Sequence, residues 1–173
     1  MIGLYQGKGP KIHDTCFIAE NAVIIGDVEI GAHSSVWYGA VIRGDVNFVR
    51  IGEGCSVQDN VTLHVERGDL PLRIGDNVTI GHNAVVHACT VEDNCLIGMG
   101  SVVLDGAVVG AGSIVAAGAV VPPGMSLPPR SLAAGVPAKV RRELTGADLE
   151  MIVDNADAYI KLKQIYLENG RQV

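Results

Sequence analysis

A spacing of six residues dominates this sequence. Aliphatic residues stand at Ile12, Ile18, Ile24, Ile30, Val36 and Ile42, then after a shift at Ile51, Val57 and Leu63. Beyond a longer insertion they resume at Ile74, Ile80 and Val86, slip back one residue, and continue through Val91, Ile97, Val103, Val109, Val115 and Val121. Neither the 3.6-residue period of a helix nor the two-residue alternation of a half-buried strand generates this spacing, and a fixed period held over most of a chain marks a repeat architecture. Four positions past each anchor the residue is usually small or β-branched, as at Ala22, Val28, Ser34, Ala40 and Cys55. Gly, Asp, Asn or Glu cluster after the anchors, in runs such as IGDV, IGEG and IGDN.

One hexad therefore supplies a short strand and a turn. Three such strands closing on one another form a triangular coil of about eighteen residues, and coils stack at the sheet spacing of about 4.8 Å. The spacing predicts a parallel β-helix: long anchors fill the axis, small residues line the corners, and glycines take the dihedrals the bends require. A doubly wound α/β fold would need crossover helices of a dozen residues or more, and no such segment interrupts residues 12 to 125. The eighteen anchors, each contributing roughly 1.5–3 kcal/mol on burial, make the axis the main source of stability. A charge at Ile97 or Val103 is expected to be severely destabilising.

Composition bounds the rest. The chain has 173 residues, 48% of them apolar, with 22 glycines but only one Trp and two Phe. That length suits one well-buried domain filled by aliphatic side chains. The net charge of -6, without runs of Lys or Arg interleaved with aromatics, argues against nucleic acid and anionic membranes as partners. The first residues, MIGLYQGKGPKIHD, do not read as a signal peptide, and a soluble, cytoplasmic protein is expected. Cys16, Cys55 and Cys95 fall in the small-residue slot of one face in the first, third and fifth coils. Two coil spacings exceed disulfide reach, so buried free thiols are expected.

Past Val121 the prolines at 122, 123, 128, 129 and 137 predict an irregular segment that caps or leaves the coil. The organisation expected is a β-helix with its cap over 1–142, then a C-terminal α-helix over 143–170 lying on the coil or on a neighbouring subunit. Thr145 is its N-cap with Asp148 three residues on, Leu149, Ile152, Val153, Ala156 and Ile160 form its apolar stripe, and it ends near Asn169 and Gly170.

Polar residues collect where the repeat breaks. Arg43, His64 and His87 directly follow the anchors Ile42, Leu63 and Val86. Counting three hexads per coil puts them in one outward column on consecutive coils. Histidines in adjacent coils start about 4.8 Å apart at the backbone, and a tetrahedral zinc site needs nitrogens roughly 3.3 Å apart, a modest convergence. His82 lies two residues after Ile80, on the preceding face, so within one chain its ring diverges from that column. Three identical chains about a threefold axis would let a neighbour supply it, giving a three-histidine shell with an open fourth position. Gln58 follows Val57 on the adjacent face, within reach of an oxygen at such a site. Arg43 and Asp45 of RGD are placed to pair with Asp59 of QDN across the subunit boundary. The bland alternative, in which these charges only hold a trimer together, stays open. His13 and His33 are expected to be surface residues remote from the site.

The motifs RGD (Arg43 to Asp45), QDN (Gln58 to Asn60), His64, and IGHNAVVH with His82 and His87, followed by IGMGSVV, resemble the gamma-class carbonic anhydrase family within the hexapeptide-repeat, left-handed β-helix superfamily. The likeness covers nearly the whole chain and is far more specific than the hexad repeat alone. It implies left-handed coils and a homotrimer with Zn2+, or alternatively Fe2+ or Co2+, at subunit interfaces. His64 and His87 resemble the same-chain ligands and His82 the neighbour's. Gln58 resembles the residue that orients hydroxide or bicarbonate, and Arg43, Asp45 and Asp59 resemble an interfacial ion-pair set. The implied activity is reversible hydration of carbon dioxide to bicarbonate, a lyase reaction. Two departures point to weak or conditional activity: Val46 stands where the archetype has a glutamate, and the short VERGDLPLR replaces a long acidic loop. Glu66 and Tyr159 are the substitutes the sequence offers. An acyl-CoA-dependent acyltransferase or thioesterase, with a histidine as base, is a competing class, and a non-catalytic metal-binding trimeric scaffold is a third.

Overall fold

Each hexad folds as a strand of two or three residues and a turn, and the strands stack in parallel register coil upon coil. On one face Phe17 pairs with Ser35, then Ser56, Thr79, Leu96, Ile114 and Leu132 follow in line. The step between partners is 18 residues, lengthened at the two insertions and shortened by one where the spacing slips. The result, described over residues 1–169 of a computed structural model, is a left-handed parallel solenoid of about seven turns with one C-terminal helix.

Three faces follow from the pairing. The first runs through the start of Val23–Ile30, the start of Val41–Ile51, Thr62–His64, Val85–His87, Val102–Val103 and Val120–Val121. The second takes the far ends of those two long strands, then Leu72–Ile74, Thr90–Val91, Val108–Val109 and Ser126–Leu127. The third is the Phe17-to-Leu132 series, closed by Lys139–Glu143 pairing antiparallel to Ser131–Ala134. The anchors are buried along the axis except Ile12 and Ile18, which are only partly covered in the first coil.

Two motif positions are explained by the coil itself. The long strands bend from first to second face at Gly26, which has a φ of +83°, and at Gly44 of RGD. A Cβ on either would run into the backbone of the neighbouring coil. Asn60 of QDN and Asn83 of GHN share one turn column with Gly39, Gly100 and Gly118, all at positive φ, a conformation that Asn tolerates better than most residues.

The four cysteines are free and buried. Burial pushes the thiols of Cys55, Cys89 and Cys95 up to about 12, which leaves them un-ionised and inert.

After Val121 the structure corrects the expected irregular segment. Ser126–Leu127 and Ser131–Ala134 extend the solenoid, with Leu127 and Ala133 buried at the next hexad positions. The prolines at 122, 123, 128 and 129 fall just after strands and in turns, where no ladder donor is required.

The helix Gly146–Asn169 starts at a capping box: the Asp148 carboxylate accepts from the Thr145 amide at 2.7 Å and hydroxyl at 2.6 Å, while the Asp148 amide donates back to Thr145 Oγ1. It packs on the third face through Ile152, Ala156 and Lys163. Val153, assigned above to the apolar stripe, is half exposed, because at 100° per residue it points away from the Ile152–Ala156 edge. Trp37 stacks edge-on with Tyr159 and Tyr166, and Lys163 Nζ donates to the Thr15 carbonyl at 2.6 Å. Gly170, expected near the helix end, lies outside the described residues. Among the described residues no helix is long and apolar enough to cross a membrane.

Candidate metal centre

In the first face Arg43, His64 and His87 stand in direct register on three consecutive coils. The parallel ladder thus brings together residues more than twenty positions apart. His64 Nδ1 lies 3.0 Å from His87 Nε2. The other ring nitrogen of each is engaged by a carboxylate: His64 Nε2 is 3.1 Å from Asp45 Oδ1, and His87 Nδ1 is 2.5 Å from Asp105 Oδ1.

These contacts decide what the facing pair can do. A carboxylate only accepts, so a neutral ring that turns its N–H toward its acid leaves a lone pair toward the other ring. Two lone pairs at 3.0 Å repel unless a shared proton or a cation lies between them. The separation is close to the roughly 3.3 Å between nitrogens sharing a tetrahedral zinc ion, and a carboxylate behind each imidazole is the usual support for a metal-binding histidine. The residues present therefore fit a divalent cation.

Asp45 is held on several sides. Burial alone would raise its carboxyl, but the Val46 amide at 2.7 Å, His64 and the ion-paired Arg43 outweigh that and keep it below the usual carboxylate range. Arg43 thus pairs with Asp45 within its own chain. Asp59 lies 2.7 Å from His82 Nδ1 of the same chain.

His82 follows the third-face strand Thr79–Ile80, away from the His64 and His87 column. Accordingly, among the described residues no group of three or more His, Cys, Asp or Glu of one chain is placed to hold a metal ion. With Asp59 on Nδ1, Nε2 of His82 is the nitrogen left to act. Gln58 is 5% exposed, and its Oε1 accepts from the His82 amide at 3.1 Å. Tyr159, on the helix, shares a cavity lining with Gln58 and His82. Burial, then the charge of Asp59, raises its phenol.

Of the remaining candidates, Glu66 turns its carboxylate back to the Arg67 amide at 2.8 Å, and Val46 is exposed. His13 contacts Asp14 and Thr15 in the first coil, and His33 occupies a turn at positive φ. Asp105 was missed by the sequence reading. Its signal was arithmetic: it lies 18 residues, one full coil, beyond His87.

Two hexapeptide family models match, "Bacterial transferase hexapeptide (six repeats)" over residues 9–44 and 88–123 and "Hexapeptide repeat of succinyl-transferase" over 71–103. The chain is 46% identical to a carbonic anhydrase of Geobacillus kaustophilus, over 96% of this chain and 91% of that one. The chain belongs to the gamma-carbonic-anhydrase-like family of hexapeptide-repeat proteins. Another member, gamma carbonic anhydrase 2 of Arabidopsis thaliana mitochondria, is 46% identical over 95% of this chain, which spans 61% of that relative's length. The same fold is seen in the crystal structure of a hexapeptide transferase family protein from Anaplasma phagocytophilum. The TM-score is 0.92 at 43% identity, covering 95% of this chain and 97% of that one.

Proposed function

We propose that this protein is a metal-dependent gamma-class carbonic anhydrase-like enzyme that interconverts carbon dioxide and bicarbonate as a homotrimer. His64 and His87 of one chain and His82 of its neighbour would hold the cation, zinc or alternatively iron or cobalt. The single observation that carries this reading is the pair of imidazole nitrogens facing each other at 3.0 Å, each ring backed by an acid. Bound there, the cation would supply the Lewis acidity that ionises water near neutral pH.

The chain's own residues do the rest. Asp45, Asp105 and Asp59 fix the tautomer and aim of His64, His87 and His82. Gln58, pinned through Oε1 to the His82 amide, keeps its Nε2 donor for a substrate oxygen. Arg43 anchors Asp45 and so works on His64 at one remove. Proton export is the weak step, since Val46 and the turned-back Glu66 leave no acidic relay. Turnover should therefore be slow in dilute buffer and rise with buffer concentration.

The test is carbon dioxide hydration by stopped flow on protein reconstituted with each metal, beside metal content per chain and sedimentation. One ion per chain, lost in both His64→Ala and His82→Ala, is the expected result. Absence of bound metal after anaerobic reconstitution would overturn the reading. Rates equal to those of enzymes with the long acidic loop would overturn the proton-export argument alone. The transferase names of the matching family models and of the Anaplasma structure favour a second reading, acyl-CoA-dependent acyl transfer or hydrolysis. Acyl-CoA turnover that survives chelation would select it.

A further inference from the structure

Between the helix and the third face lies a cavity of about 320 Å³, lined at one end by Gln58 and His82 and along its length by Leu96, Met99, Ile114 and Tyr159. At ~30 Å³ per water it has room for about ten waters, several times what carbon dioxide or bicarbonate needs. Its walls are mostly apolar and carry no Lys, Arg, Asp or Glu. Gln58 stands on the coil next to Thr79 and His82. Gln58 is 5% exposed and makes one side-chain hydrogen bond, through Oε1. Its Nε2 is thus a nearly buried donor without a protein partner among the described residues. Thr79 Oγ1 and Asn155 Oδ1, the buried side-chain oxygens lacking a hydrogen-bond partner among the described residues, belong to residues of the same lining. Buried polar atoms are seldom left unpaired unless a ligand or water completes them. Of these atoms Gln58 Nε2 and the Thr79 hydroxyl can donate, whereas Asn155 Oδ1 only accepts; an apolar cavity with such donors on its wall fits a molecule with an accepting head and a hydrocarbon tail.

We propose that this cavity is a tail-binding subsite for short-chain monocarboxylates of three to five carbons, with the carboxylate accepting from Gln58 Nε2 beside His82 and the alkyl chain against Leu96 and Ile114. The site then takes ligands larger than a one-carbon substrate. The proposal rests on the reading above only in placing the head group beside the metal; the tail contacts belong to this chain alone.

The experiment is isothermal titration of the metal-loaded full-length protein with the sodium salts of acetate through octanoate. Beside it, the metal-free protein is titrated with the neutral amides from acetamide to octanamide, which need no cation. Burial of one methylene corresponds to about fourfold in affinity. Both series should therefore tighten about fourfold per carbon through the five-carbon member and stop tightening by the eight-carbon one. Ala116→Leu, which projects into the lining, should flatten both series, and circular dichroism would verify that the variant is folded. Equal affinities along both series in the native protein overturn the subsite while leaving the metal reading intact. If the protein takes up no metal, the metal reading falls and the amide series alone decides the subsite. Steady tightening that Ala116→Leu does not alter would place the tail elsewhere and also overturn it.

Discussion

The first and third faces are built from the same hexads, yet they meet their surroundings in opposite ways. On the third face the outward column of Phe17, Ser35, Ser56, Thr79, Leu96, Ile114 and Leu132 lies under the chain's own helix, and most of it is buried. On the first face Val23, Val41, Thr62, Val85, Val102 and Val120 form an outward column that is apolar but for Thr62, yet among the described residues no helix lies over it. The facing histidines stand at its edge. One face is thus completed within the chain, while the other is left apolar beside the facing histidines, and the second copy proposed above would cover it.

The largest expected effect tests what the two faces share. Ile97 is fully buried on the axis, and Ile97→Asp would put an uncompensated charge there, costing roughly 4 kcal/mol or more. Both faces should fail together, read as loss of the folded fraction in urea titration. If only the helix were released, the axis would not be the common support.

Next comes a matched pair. Ile114 is buried against Leu144 and Ile152 under the helix, so Ile114→Asp should cost about 3 kcal/mol, a buried side chain with an added unpaired charge. Val102, on the uncovered face, is only partly buried in the single chain. Val102→Asp should change monomer stability by less than about 1 kcal/mol but shift the sedimenting species from trimer to monomer. Equal destabilisation with an unchanged oligomer would break the comparison.

Much of this was legible in the sequence because the repeat converts residue counting into geometry. Six-residue spacing fixes the face, eighteen fixes the coil, and so the His64–His87 contact and the divergence of His82 both follow from arithmetic. Asp105 is legible by the same count, one coil beyond His87, but it lies past the motif's last histidine and no motif marks it. The extension through Leu127 and Ala133 was hidden by prolines that lie in turns rather than in the ladder. Tyr159 and Asn155 could not be placed over the third face by counting, because helix docking depends on contacts with no fixed period, such as Trp37 against Tyr159 and Lys163 reaching Thr15.

A smaller effect sharpens the uncovered face. Asp105→Ala removes the acid behind His87 without touching the lone pair that faces His64. Metal affinity should fall 10- to 100-fold, as for other carboxylates behind a ligating histidine. Competition with a chromophoric chelator would measure it, and unfolding of the metal-free protein should show only a surface-sized change. Affinity equal to the native protein's would mean that Asp105 does not set the tautomer of His87.

The smallest effect belongs to the covered face, and acid makes it separable. Thr145 caps the helix that covers it, and Thr145→Ala should cost about 1 kcal/mol. The partner in that cap, Asp148, has its carboxyl held well below the ordinary 3.8, first by Arg142 and then by Thr145. A carboxylate depressed in the folded state stabilises fully above its unfolded pKa, and that stabilisation fades as the pH drops below 3.8 toward the depressed value. The difference between native and Asp148→Asn proteins in urea midpoint should therefore be constant from neutral pH to about 5 and shrink below 4. Because the helix covers only the third face, the loss should appear in the fluorescence of Trp37, which contacts Tyr159 and Tyr166, before the sheet signal in circular dichroism changes. Simultaneous loss of both signals would mean that helix and solenoid unfold as one unit, and that the covered face depends on its helix as completely as on its axis.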